Sequence, residues 1–149
     1  MRAHRGFTLV ELLVAFAMGG LLIALVPLAY DRMNESAQYR QVLRDMMSGL
    51  RQARQLAISQ GEVVRFRVDL AQRSFAVDGR PAAPFHEPLQ VRATVGETEL
   101  VAGQTASIAF LPDGGGTGGS IELIRPSGSG TRLRVDWLTG QISQEPLLP

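Results

Sequence analysis

Three hydrophobic patterns follow one another along the chain. Residues 7–29 are apolar except for Thr8, Glu11 and the Gly19-Gly20 pair. That run is long enough for a helix to cross a membrane, which takes about 20 residues. From residue 31 the composition turns polar without a Gly-, Pro- or Ser-rich linker, and residues 31–60 contain no proline. Apolar or small residues recur there at Tyr39, Leu43, Met46, Leu50, Ala53 and Ala57. Steps of three and four define an amphipathic helix with one buried stripe, and Gly61 is a natural C-cap. Joined to the apolar run, this predicts one helix over residues 7–60, half in lipid and half against a domain.

Beyond Gly61 the period falls to two. EVVRFRVD sets Val64, Phe66 and Val68 against Arg65 and Arg67, and RSFAVDG follows after a short turn. The pair reads as a β-hairpin with one buried face. A proline-rich loop, GRPAAPFHEP, leads to LQVRATV, and further strands are expected at ASIAFL, SIELIR and TRLRVDWL, with a short last one at QIS. Trp137, at the end of TRLRVDWL, is expected in the core, with an interface anchor as the alternative. A helix followed by mostly antiparallel strands makes the fold class α+β.

Composition narrows the chemistry. The 149 residues leave room for one globular domain. There is no cysteine, so no disulfide, thiolate metal site or cysteine nucleophile can form. All 15 cationic side chains are arginine, which removes the P-loop lysine and any lysine Schiff base. The formal charge of +1 includes Arg2 and Arg5, and without them 13 arginines face 14 acids. A chain seeking nucleic acid through net charge is not indicated.

PDGGGTGGS, residues 112–120, invites a phosphate-loop reading, yet no lysine is present and a strand follows. A flexible hairpin loop is favoured, with Asp113, Gly114, Gly115 and Gly116 as a mobile partner-contact loop. One carboxylate is too few for calcium, which takes six to eight oxygen ligands. His86 beside Glu87 lacks a nucleophile motif and reads as a surface residue. Arg65, Arg67, Arg132 and Arg134 would form a phosphate-binding stripe only if their strands were neighbours. A solvated strand face is the simpler account. No catalytic residue, metal site or cofactor is expected.

Glu11 is the anomaly of the apolar run, since a charged residue at a membrane helix centre costs about 2.5–3.5 kcal/mol on insertion scales. A secretory signal would end near Ala15-Phe16-Ala17, but the apolar run continues well past it. A plain one-pass anchor leaves Glu11 unexplained. The third reading starts from the basic hexapeptide ending in Gly6, then Phe7 and Thr8-Leu9-Val10-Glu11. These residues closely resemble the processing site of the type IV pilin-like family of pilins and type II secretion pseudopilins.

That resemblance implies cleavage between Gly6 and Phe7 by a prepilin peptidase, and methylation of the new N-terminus on Phe7. The apolar helix then stays on the mature protein. The amine of Phe7 would give Glu11 a partner, within the chain, because the two are four residues apart, or on a neighbouring subunit during filament growth. Gly19, Gly20 and Pro27 are either a tolerated kink or, as the family suggests, a segment that unwinds on packing.

A second resemblance covers the C-terminal half. Ile108, Phe110, Pro112-Asp113-Gly114, Ile121, Leu123, Leu133, Val135, Thr139-Gly140 and Ile142, with LRQARQLAISQG over residues 50–61, are similar to the GspH/FimT group. That group comprises minor pseudopilins of type II secretion and minor pilins of type IV pili. The pilus branch that handles DNA carries an arginine in a C-terminal motif, whereas this tail, TGQISQEPLLP, has none. The secretion branch is therefore expected, with a type IV pilus minor pilin acting in pilus assembly or DNA uptake as the alternative.

The resemblance implies a leader at residues 1–6, a membrane and assembly helix at 7–30, and a periplasmic pilin-like domain at 31–149. Within that domain the helix would cover 31–60 and the β-rich part 62–149. The N-terminus would be cytoplasmic and the chain held in the inner membrane. Expected partners are inner-membrane lipid, other major and minor pseudopilins in a tip complex, and secreted substrate proteins. Nucleic acid is not expected among them.

Overall fold

The computed structural model describes residues 8–95, 100–101 and 104–148, with side chains except at 22–34 and 100–101. The expected cut between Gly6 and Phe7, and the methylation of Phe7, lie outside the described residues. A single helix, α1, covers Leu9–Gln60. Gly61 ends it at φ 69°, its N–H donating to the Ala57 carbonyl at 3.0 Å, and a left-handed turn of this kind favours glycine. Gly19, Gly20 and Pro27 all lie inside α1. At either glycine an added Cβ would meet nothing within 4 Å, so packing within this chain does not require them.

The chain divides into two compact units, Met1–Ala37 and Gln38–Pro149. The division falls later in α1 than the polar turn in composition after Tyr30. In the first unit every large apolar side chain from Leu9 to Leu21 is exposed. Among the described residues no helix is long and apolar enough to cross a membrane. The apolar run over residues 7–29 extends beyond the described side chains at both ends.

The second unit packs the C-terminal part of α1 with two antiparallel sheets. The strands are β1 (Val64–Asp69), β2 (Ser74–Val77), β3 (Ala83–Pro84), β4 (Gln90–Thr94), β5 (Leu100–Val101), β6 (Thr105–Phe110), β7 (Gly119–Ile124), β8 (Gly130–Val135) and β9 (Ile142–Leu147). One sheet has the order β3-β2-β1-β6-β5, the other β4-β7-β8-β9. Antiparallel register sets Phe66 opposite Val77 and Ile108, and Ile121 opposite Leu133. With a side-chain period of two, these pairs keep one face of each sheet apolar.

That alternation builds the core. Tyr39, Met46, Leu50, Ala53 and Ala57 of the expected helix stripe are buried, while Leu43 is only partly so. Val64, Phe66 and Val68 cover them from the first sheet, and Ile121, Leu123, Leu133 and Val135 complete the core from the second. A glycine lets the helix come close to the sheet: a Cβ on Gly49 would sit 2.7 Å from the Phe66 ring. At the second sheet the Tyr39 hydroxyl donates to Thr131 Oγ1 at 2.7 Å, and the Arg125 guanidinium stacks 4.0 Å from the Tyr39 ring centroid. Phe85 of the proline-rich loop is also buried, where the sequence indicates only a loop, and so is Leu89, which precedes β4.

Three expectations change. The expected strand over residues 131–138 stops at Val135, because Asp136 turns the chain, and Trp137 is therefore 67% exposed and not in the core. The last strand is longer than QIS and reaches Leu147. Arg65 and Arg67 lie on β1 of the first sheet, Arg132 and Arg134 on β8 of the second, so they form no common stripe.

Candidate functional site

The first turn of α1 places Glu11. Thr8 stands just before the helix, and its side-chain oxygen accepts from the Glu11 N–H at 3.3 Å. In return Glu11 Oε2 accepts from the Thr8 N–H at 3.4 Å and lies 3.5 Å from the Thr8 hydroxyl. This is a capping box, in which two helix-end N–H groups are satisfied reciprocally, and a carboxylate there also suits the positive end of the helix dipole. The T-x-x-E spacing at residues 8–11 is its signal, and hydrophobic patterning alone overlooks it. Glu11 is thus a fixed acid on a helix whose described neighbours are exposed and apolar.

The glycine-rich loop is held down. Asp113 Oδ1 accepts from Gly115 N at 2.9 Å, Leu111 N donates to Gly115 O at 2.9 Å, and Gly116 N donates to Trp137 O at 3.0 Å. Gly114, Gly115 and Gly116 are buried, while Leu111, Pro112, Asp113 and Thr117 around them are exposed. The open, flexible hairpin expected here is therefore a packed loop, and a partner can reach Asp113 but not the three glycine Cα atoms. Arg54 of α1 is the clamp: its Nε donates to Gly114 O and its Nη2 to Thr139 O, each at 3.1 Å. Nothing in the sequence marks this arginine apart from its neighbours.

The same clamp fixes the β8–β9 turn. Asp136 Oδ1 accepts from Thr139 N at 2.8 Å, Thr139 Oγ1 at 2.9 Å and Leu138 N at 3.1 Å. Gly140 takes φ 61° and closes the turn by donating to Asp136 O at 2.9 Å. Backbone and then hydroxyl hydrogen bonds from Thr139 hold the Asp136 carboxyl below the ordinary value of 3.8. A group whose folded pKa is depressed stabilises fully above its unfolded value and loses that contribution as pH falls through the folded one. Trp137 is the only tryptophan. Its emission is expected to stay constant from neutral pH down to about the 3.8 of a free aspartate and to change below it. In Asp136→Asn, where nothing titrates at this position, that acid transition should shrink.

Several of the remaining charges pair with one another. Arg132 Nη2 lies 2.7 Å from Glu122 and its Nη1 3.7 Å from Glu145, which also faces Arg134 at 3.8 Å; Arg67 pairs with Asp78. The Glu122 hydrogen bond raises Arg132 above the ordinary guanidinium range, so Arg132 stays charged at physiological pH. His86 and Glu87 are exposed, and among the described residues no three His, Asp or Glu gather as metal ligands.

Comparison with known proteins gives this geometry its context. Residues 1–27 match the prokaryotic N-terminal methylation motif. Residues 43–140, from the buried stripe of α1 to the Gly140 turn, match the model of type II transport protein GspH. The chain belongs to the GspH family.

As a GspH-family chain it is a minor pseudopilin of the type II secretion system, a structural subunit. A similar protein is the type II secretion system protein H of Xanthomonas campestris pv. campestris. It is 30% identical over 148 residues, which are 98% of this chain and 86% of that protein. Two solved structures share the pilin-like fold. The minor pseudopilin EpsH of the Vibrio cholerae type 2 secretion system has a TM-score of 0.51 at 14% identity, over 77% of this chain and 95% of that one. The type IV minor pilin FimU of Pseudomonas aeruginosa has a TM-score of 0.55 at 17% identity, over 76% and 92%. At such identities both show the α+β fold alone. Within it, the family match covers most of the packed domain, and the methylation motif covers Glu11, Gly19 and Gly20.

Proposed function

We propose that this minor pseudopilin works near the tip of the pseudopilus and takes part in export of folded proteins across the outer membrane. A prepilin peptidase cuts between Gly6 and Phe7, Phe7 is methylated, and residues 7–29 hold the chain in the inner membrane with the globular domain in the periplasm. Assembly then draws the helix into a bundle with other major and minor pseudopilins. Its work is mechanical, and secreted proteins would meet it by surface shape without turnover.

One observation carries this reading: a single acid, Glu11, stands at the head of a helix whose large apolar side chains from Leu9 to Leu21 are all exposed. An apolar helix exposed over several turns needs lipid or other helices around it, and an acid within such surroundings needs a cation. A freed amine at Phe7 supplies one.

A chromosomal deletion tests the proposal, comparing proteins released into the medium with twitching motility and DNA uptake. Loss of release alone, with exported proteins trapped in the periplasm, is the expected result. Normal release with lost twitching or transformation would move the chain to a type IV pilus.

A further inference from the structure

Two grooves meet at the β8–β9 turn. One, of about 520 Å³, runs between α1 and the turn, with Arg51, Arg54 and Gln55 on one wall and residues 139–142 on the other. No carboxylate lines it. The second, of about 490 Å³, lies against Trp137 and Leu138 and shares Thr139 and Gln141 with the first. A cationic cleft is thus continuous with an apolar projection.

The charges at this surface are unequally committed. Arg54 is spent on two carbonyls. Asp136 is occupied by the donors of its own turn, and Glu145 faces Arg132 and Arg134. Arg51 is exposed and makes no ion pair among the described residues. One helical turn from the clamp, it leaves the first groove with a free positive charge.

Trp137 and Leu138 are each 67% exposed, yet the turn that carries them is pinned. Asp136 holds it from within, Arg54 from the helix, and the left-handed Gly140 packs so closely on the Gly114 carbonyl that a side chain there would collide. Ile58 and Leu111, beside the buried glycines, extend the apolar surface. A turn already fixed in place loses little backbone entropy when its side chains are covered. Tryptophan beside arginine is also the composition of an interface hot spot.

We infer that this double groove is a protein-docking site that takes a segment of a neighbouring pseudopilin carrying a carboxylate beside an apolar side chain. The carboxylate enters the groove at Arg51, and the apolar group packs on Trp137 and Leu138. Charge complementarity selects this occupant, because the free cation adjoins an apolar anchor and the other arginines of the β8 face are already neutralised. The inference rests on the pseudopilus reading above.

The test uses the full chain in cells that carry the other pseudopilins of the same system, each tagged, with a photo-crosslinking residue in place of Leu138. A crosslink to one tagged pseudopilin is expected. Arg51→Glu and Trp137→Ala, both at exposed positions that leave the clamp intact, should each lower its yield by at least about tenfold. His86→Ala, outside both grooves, should leave the yield unchanged. Replacing the partner's acid at the crosslinked position with arginine should restore Arg51→Glu.

A crosslink indifferent to Arg51 and Trp137, one to lipid alone, or none at all would overturn the docking site. If the deletion still traps exported proteins in the periplasm, the pseudopilus reading survives that failure. If the deletion leaves release normal, both fall.

Discussion

Glu11→Gln is expected to block incorporation into the pseudopilus, and protein release with it, as fully as Glu11→Ala does, while cleavage after Gly6 continues in both. The comparison separates two jobs that one carboxylate can hold. Within the chain Glu11 closes a capping box with Thr8, and glutamine serves at that position as well as glutamate. The amide would keep the helix start, whereas alanine would cost about 1 kcal/mol, the usual worth of a cap. An ion pair with a freed amine needs the charge itself, and removing one member of a pair shielded from water costs about 3–5 kcal/mol. The second cost is the larger, so the charge and not the cap should govern assembly. Gel mobility of the cleaved form, together with the amount of exported protein in the medium, reads both steps. Wild-type release by Glu11→Gln would leave Glu11 as a helix cap only.

Phe66→Ala should destabilise the globular unit by about 3–5 kcal/mol, the range for emptying a buried phenylalanine site. Phe66 is 1% exposed, lies 5.8 Å from the Phe75 ring between centroids, and fills the notch that Gly49 leaves on the helix. Its neighbours on β1, β2 and α1 are tied by ladder and helix hydrogen bonds, so they cannot close over the void. Domains of this size hold about 5–15 kcal/mol in total, so the variant should lose a large share of its stability. Thermal unfolding followed by Trp137 emission should show a midpoint lower by about 20 °C. A shift of only a few degrees would mean that the site collapses and that the core is less rigid than its packing implies.

Much of this was legible in the residues. The three-and-four spacing named five helix residues that prove buried, Tyr39, Met46, Leu50, Ala53 and Ala57. Alternation likewise named the buried face of β1, Val64, Phe66 and Val68, whereas Ile121, Leu123, Leu133 and Val135 of β7 and β8 were named through the family resemblance. Both are local signals, since a residue's face follows from its place in a period of 3.6 or two. Gly61 closes the helix for an equally local reason, its left-handed φ.

Other features depended on partners far along the chain. Alternation says which face of a strand is apolar but not which strand lies beside it, so the separation of Arg65 and Arg67 from Arg132 and Arg134 was invisible until the two sheets were traced. Trp137 looked like a core residue because it continues an apolar strand, and Asp136 ends that strand through bonds to Thr139 that no periodicity announces. The burial of Gly114, Gly115 and Gly116 required Arg54, sixty positions earlier than Gly114, to reach their loop.

By itself, the sequence determined the α+β class, the apolar helix with its single acid, and the family resemblance, because each is written in neighbouring residues. Only the tertiary structure decided which charges are spent, which glycines are covered and that Trp137 stands in water. Those outcomes belong to contacts between segments, and a contact between segments has no period to read.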